Sequence, residues 1–94
     1  MVADLAAAHV LVKGRVQGVG YRFYAQDAAD AHGLKGWVRN IPGGDVECDV
    51  EGKRSDIELW LYELRQGPPL ARVEDVQISW KTPSGQYPDF SIRS

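Results

Sequence analysis

The chain has a single cysteine, Cys48, so no disulfide can close within it, and nowhere do cysteine and histidine gather at metal-ligand spacing. It has no apolar run long enough to cross a membrane. Its opening, Met-Val-Ala-Asp-Leu-Ala-Ala-Ala, lacks the basic start and apolar stretch of a signal peptide. These absences predict a soluble, unexported protein of a reducing cytoplasm, without metal or cofactor and without membrane contact. An excess of positive charge is also missing: 11 Lys and Arg stand against 13 Asp and Glu, for a net charge of -2. That argues against a nucleic-acid partner bound non-specifically, because such binding needs a basic surface to displace counterions. A small phosphate ligand is compatible with this balance, since a few aligned amides and one guanidinium suffice to hold it.

What is present fits one small globular domain: 94 residues, 44% hydrophobic and 26% charged. We expect a single domain over 1–94, with residues 1–7 as a flexible N-terminal extension. His9 to Lys13 alternates weakly and reads as a first strand ending at Gly14. Arg22 to His32 contains no Gly or Pro, which predicts a helix stopped at Gly33, with Ala25, Ala28 and Ala29 allowing close approach to a sheet. Lys35 to Ile41 and Asp45 to Glu51 read as strands joined by Pro42-Gly43-Gly44. In the second of these, Val46, Cys48 and Val50 point one way and Asp45, Glu47, Asp49 and Glu51 the other, which predicts a solvated acidic face that discourages edge pairing.

Ser55 and Glu58 carry the spacing of a capping box, and Ile57, Trp60, Leu61 and Leu64 then repeat at helical spacing until Gly67 and Pro68-Pro69. Val76, Ile78 and Trp80 alternate in a fourth strand, and Phe90 with Ile92 makes a short last one. Trp60 and Trp80 fit core positions, whereas Trp37 is placed to cover the open face. Right-handed crossovers put both helices on one side of an antiparallel sheet. The fold class is thus α+β, a ferredoxin-like α/β sandwich of order βαββαβ with a short extra strand.

The turn between the first strand and helix holds Gly14, Gly18 and Gly20. Glycine there permits backbone angles that aim successive N–H groups at one point, and the start of the following helix adds its own unpaired N–H groups. Arg22 in the first turn can add a bidentate guanidinium contact. The spacing is neither that of a Walker loop nor that of a dinucleotide fingerprint. On its own the loop reads equally well as an anion cradle or as a tight turn with a solvated arginine. Asn40 shares parity with Val38 on the side facing the helices, where a polar amide needs a reason; opening the hairpin before Pro42 is one.

Four stretches, Gly14-Arg-Val-Gln-Gly-Val-Gly-Tyr-Arg22, Gly36-Trp-Val-Arg-Asn40, Gly44-Asp-Val-Glu47 and Gly67-Pro-Pro-Leu-Ala-Arg-Val73, together resemble the sequence marks of the acylphosphatases. The similarity runs from about His9 to the last strand. It implies hydrolysis of an acyl phosphate to a carboxylate and inorganic phosphate, without a metal and without a covalent phospho-enzyme. It implies that Arg22 binds the phosphate, that Asn40 holds the attacking water, and that Arg15, Val16, Gln17, Gly18, Val19, Gly20 and Tyr21 supply amides to the phosphoryl oxygens. Tyr21 stands where the family often has phenylalanine, and Ile41-Pro-Gly-Gly-Asp45 shifts the acidic residue of the turn.

Two other readings compete. An RNA-recognition module of the same fold would need aromatic residues and basic charge on its open face, where this chain has an acidic row. A regulatory or carrier domain would bind phosphate without turning it over. Related domains also occur within larger carbamoyl-transferring enzymes, but the chain length leads us to expect the free-standing form, acting as a monomer. Cys48, His9 and His32 are expected to have no catalytic role.

Overall fold

Residues 4–94 are described by a computed structural model. The first strand, β1 (Leu5–Arg15), is longer than its sequence suggests. It is followed by α1 (Tyr21–Ala31), β2 (Lys35–Asn40), β3 (Val46–Lys53), α2 (Arg54–Gln66), β4 (Arg72–Lys81) and β5 (Phe90–Arg93). The alanine-rich start of β1 is a weak strand former, yet it is held from both sides: Leu5 to Ala7 pair with Lys53 to Glu51, and Ala7 also pairs with Lys81. Tertiary pairing overrides local preference here. The expected flexible extension therefore does not hold for residues 5–7; residues 1–3 lie outside the described residues.

The five strands form one sheet in the order β4-β1-β3-β2-β5. β1, β2, β3 and β4 pair antiparallel, as the βαββαβ order predicts, and β5 joins β2 in parallel, making the sheet mixed. Both helices cover one face, α1 over β2 and β5, α2 over β1, β3 and β4. Between them and the sheet lies one core built from Val10, Val12, Val38, Val46, Cys48 and Val50 of the strands and Ala25, Ala29, Ile57, Trp60 and Leu64 of the helices. Trp60 is fully buried; its indole N–H donates to the Ala25 carbonyl at 3.1 Å, tying the helices together.

Three details differ from the sequence reading. The capping box is not made: β3 runs straight into Lys53, which caps α2 in an extended conformation without a side-chain bond, and the Arg54 N–H is taken by the Asp4 carbonyl at 2.8 Å. Trp80 is not a core residue. It lies on the edge strand β4, 37% exposed, with the Arg54 guanidinium 3.9 Å above its ring.

The third difference concerns the acidic row. β3 is a central strand and so has no edge to protect, and Asp49 and Glu51 are 3% and 8% exposed rather than solvated. The segment 82–89 crosses the open face above them. Glu51 accepts from the Ser84 N–H, the Ser84 hydroxyl and the Gly85 N–H at 2.7–2.9 Å. Asp49 accepts from Lys81 and from the Tyr87 hydroxyl at 2.7 and 2.8 Å. Trp37 lies beneath the same cover, as its parity predicts, with its indole N–H donating to Tyr87 and with Arg39 and Arg93 against its ring.

Candidate active site

β1 ends at Arg15, opposite Arg72 of β4, and the chain then crosses to α1 in residues 16–20. A register shift between Lys13 and Gly14 bends the strand end. Glycine is required at 14, because its φ is 127° and a Cβ there would sit 2.1 Å from the Arg72 carbonyl oxygen. In the crossing, Val16 is fully buried and Val19 packs against the same core. These two side chains anchor the loop to the core.

Gly18 and Gly20 take φ values of 74° and 78°, a left-handed conformation that other residues adopt only at a cost. Gly20 is the N-cap of α1. It supplies no side-chain cap, and the first turn contains no acidic residue. Among the described residues, the backbone of 16–20 donates no hydrogen bond to a loop carbonyl or to a side chain. Open amides and an uncapped helix N-terminus, with no carboxylate in that turn, favour an anion.

Arg22 follows in the first turn, half-buried, and forms no ion pair among the described residues. Its neighbour Tyr21 is buried in the core, and its hydroxyl donates to the Leu64 carbonyl at 2.7 Å. Burial pushes that hydroxyl far above the usual tyrosine range, so it stays protonated. Arg15 belongs to the strand rather than to the loop. The side chains of Val16, Val19 and Tyr21 face the core, which leaves their backbone as what they can offer a ligand.

Asn40 closes β2 opposite Val46 and lies on the helix face in line with the buried Val38, as its parity predicts. Its Oδ1 is buried and has no hydrogen-bond partner among the described residues. Leaving such an atom unpaired costs about 1–3 kcal/mol, so the amide at this strand end is not there for stability. Asn40 does not open the hairpin: the turn is closed by the Ile41 N–H donating to the Asp45 carbonyl at 3.0 Å. Lys13 reaches the Asp45 carboxylate at 2.9 Å, and that hydrogen bond together with the Asp45 charge raises the lysine above its ordinary value.

One contact at the site was missed by sequence reasoning. The Gln17 side-chain amide donates to both the Ile41 and the Asp45 carbonyls at 2.8 Å, strapping the loop to the turn that follows Asn40. The signal available was a turn with carbonyls in need of donors, but the donor lies more than twenty residues away. A cavity of about 440 Å³, lined in part by Leu5, Lys35, Lys53, Asp56 and Tyr87, lies towards the opposite end of the sheet and uses no residue of the loop.

Fold and site together define an α+β sandwich whose first strand delivers an open, uncapped helix N-terminus beside a polar strand end. A family model described as acylphosphatase matches residues 8–92. An acylphosphatase of Anaeromyxobacter sp. (strain Fw109-5) is 48% identical over 92 residues, covering 98% of this chain and 99% of that protein. The acylphosphatase of Bacillus subtilis superposes with a TM-score of 0.92 at 32% identity, over 95% of this chain and 99% of that one. Full-length HypF, in a phosphate- and nucleotide-bound form, contains a matching unit with a TM-score of 0.91 at 32% identity, covering all of this chain (100%) but 12% of HypF. The chain belongs to the acylphosphatase family.

Proposed function

We propose that this acylphosphatase hydrolyses acyl phosphates by direct in-line attack of water, with Arg22 and the amides of residues 15–21 holding the phosphoryl group and Asn40 holding the water. The observation that carries the reading is the uncapped N-terminus of α1, with the unbonded amides before it and Arg22 in its first turn, strapped by Gln17 to the turn that follows Asn40.

An acyl phosphate already has a good carboxylate leaving group, so positioning and stabilisation of charge on the equatorial oxygens can supply most of the catalysis. The water oxygen forms a bond to phosphorus as the bond from phosphorus to the acyl oxygen breaks. The carboxylate leaves with that bonding pair, and the proton of the water passes to a phosphoryl oxygen. Asn40 takes no proton at neutral pH; it orients the attack. Cys48 stands apart from this chemistry, since burial pushes its thiol far up and keeps it protonated. The proposed machinery comes from one chain, in keeping with a monomer, and a free buried thiol suits a reducing cytoplasm.

Phosphate release from benzoyl phosphate, measured with a chelator present and with Arg22→Ala as control, tests the reading. Turnover by the parent chain that Arg22→Ala abolishes is the expected result. Binding of phosphate without turnover would instead make the chain a carrier, and near-normal turnover by Arg22→Ala would overturn the site assignment.

A further inference from the structure

We infer that Gln17 is a positioning residue that sets the distance between the phosphate cradle and the water held by Asn40, rather than a side-chain ligand of the phosphate. The inference rests on the roles proposed above for the loop and for Asn40.

A glutamine amide has two N–H donors. Both are used here, one on the Ile41 carbonyl and one on the Asp45 carbonyl, each at 2.8 Å. The orientation of the amide is fixed by its surroundings, because the opposite flip would set its oxygen against two carbonyl oxygens. What remains is the amide oxygen, an acceptor, which an anion does not seek. The Gln17 side chain therefore has nothing to offer a phosphoryl oxygen, while its backbone N–H stays in the loop with those of its neighbours.

The two carbonyls it holds are informative. Ile41 follows Asn40 directly in the chain, and Asp45 precedes Val46, the register partner of Asn40. One side chain thus grips both ends of the turn that follows Asn40 while its own backbone lies in the cradle. The turn does not depend on this grip to close. The Asp45 carbonyl also accepts the Ile41 N–H at 3.0 Å, and the Ile41 carbonyl accepts the Gly44 N–H at 3.4 Å. A strap that a turn can spare, but that joins the two halves of a site, suits the needs of in-line attack. Reacting atoms must be held about 3–3.5 Å apart, and a misplacement of about 1 Å costs on the order of a hundredfold in rate.

Gln17→Met keeps the shape and removes both donors. Gln17→Asn keeps the amide but withdraws it by one methylene. We expect both variants to fold, with kcat on benzoyl phosphate reduced about tenfold to a hundredfold and the inhibition constant of inorganic phosphate changed by less than about twofold. In the Asn40→Ala background, where no held water remains to be misplaced, Gln17→Met should lower kcat by less than about twofold further. Weakened phosphate inhibition with unchanged kcat would make Gln17 a phosphate ligand and overturn the inference. So would a full additional loss of kcat in the Asn40→Ala background, or unchanged kinetics in both single variants. Failure of the underlying reading shows separately, as turnover that survives Arg22→Ala.

Discussion

The Tyr21 hydroxyl donates to the Leu64 carbonyl across 2.7 Å, joining the residue beside Arg22 to the last turn of α2. The carbonyl needs that donor. In a continuing helix Leu64 would accept from the residue four further on, which here is Pro68 and has no N–H. Tyr21 thus completes the end of one helix from the start of the other. Tyr21→Phe should cost about 1 kcal/mol, seen as a melting temperature about 4–8 °C lower, with turnover retained. Unchanged stability would mean that water replaces the hydroxyl without loss.

Arg22→Ala should leave stability within about 0.5 kcal/mol, because the residue is half-buried and forms no ion pair among the described residues. Turnover should fall at least about a hundredfold, the scale seen when a group that stabilises transition-state charge is removed. Arg22→Lys should restore little, as an ammonium lacks the planar fork. Steady-state kinetics beside a thermal melt separates the two effects.

Asn40→Ala should reduce kcat by more than it weakens inhibition by inorganic phosphate, since water placement matters mainly in the transition state. Its stability should hold or rise slightly, because an unpaired buried oxygen is removed. Equal losses in turnover and phosphate affinity would assign Asn40 to the fold instead.

The contacts of Glu51 predict a pH response. Burial alone would raise its carboxyl, but the bonds from Ser84 and Gly85 and the nearby Lys81 charge outweigh it and hold the group below its ordinary value. A carboxyl lowered in the folded state adds stability that is complete above its unfolded value of about 4.3 and is lost as pH falls through the lower folded value. The protection of the Ser84 and Gly85 amides, taken as exchange relative to the intrinsic rate, should therefore fall on acidification below about pH 4. Glu51→Gln should raise exchange at neutral pH and flatten that dependence; a flat profile in the parent chain would contradict the assignment.

Gly36 and Gly18 should respond to alanine very differently. Gly36 has a φ of 141°, and a Cβ there would meet the Asp49 carbonyl oxygen at 1.8 Å, whereas Gly18 has a φ of 74° with nothing within 4 Å. Gly36→Ala should cost about 3 kcal/mol or more, and Gly18→Ala about 1–2 kcal/mol from backbone strain alone. Denaturant titration of the two variants measures the difference.

What could be read in the sequence follows the range over which each signal acts. The apolar spacing of Ile57, Trp60, Leu61 and Leu64, the glycines of the loop and the parity of Asn40 are local, and the structure places those elements where their patterns suggest. Alternation in β3 separated its two faces correctly but could not say what lay over the acidic one. Thr82 to Asp89 has no periodicity, and nothing in it announces that two of its amides will meet Glu51. The strap from Gln17 was hidden for the same reason, because its acceptors belong to a turn that only the folded sheet brings near. Ser55 shows the converse: its capping signature was local and clear, yet the helix starts at Arg54 with Lys53 as its N-cap, so Ser55 lies inside the first turn.

The parallel pairing of β5 with β2 bears on how the sheet is kept from joining other molecules. β5 spans Phe90–Arg93, and it alone separates β2, the strand that ends in Asn40, from an open margin. When β5 detaches, that margin is laid bare while the rest of the sheet stays paired. Until Phe90 seats again beside Trp60, with ring centroids 5.8 Å apart, the strand bearing Asn40 is available to strands of other copies. A strip of four residues is thus what closes this sheet margin to neighbouring molecules.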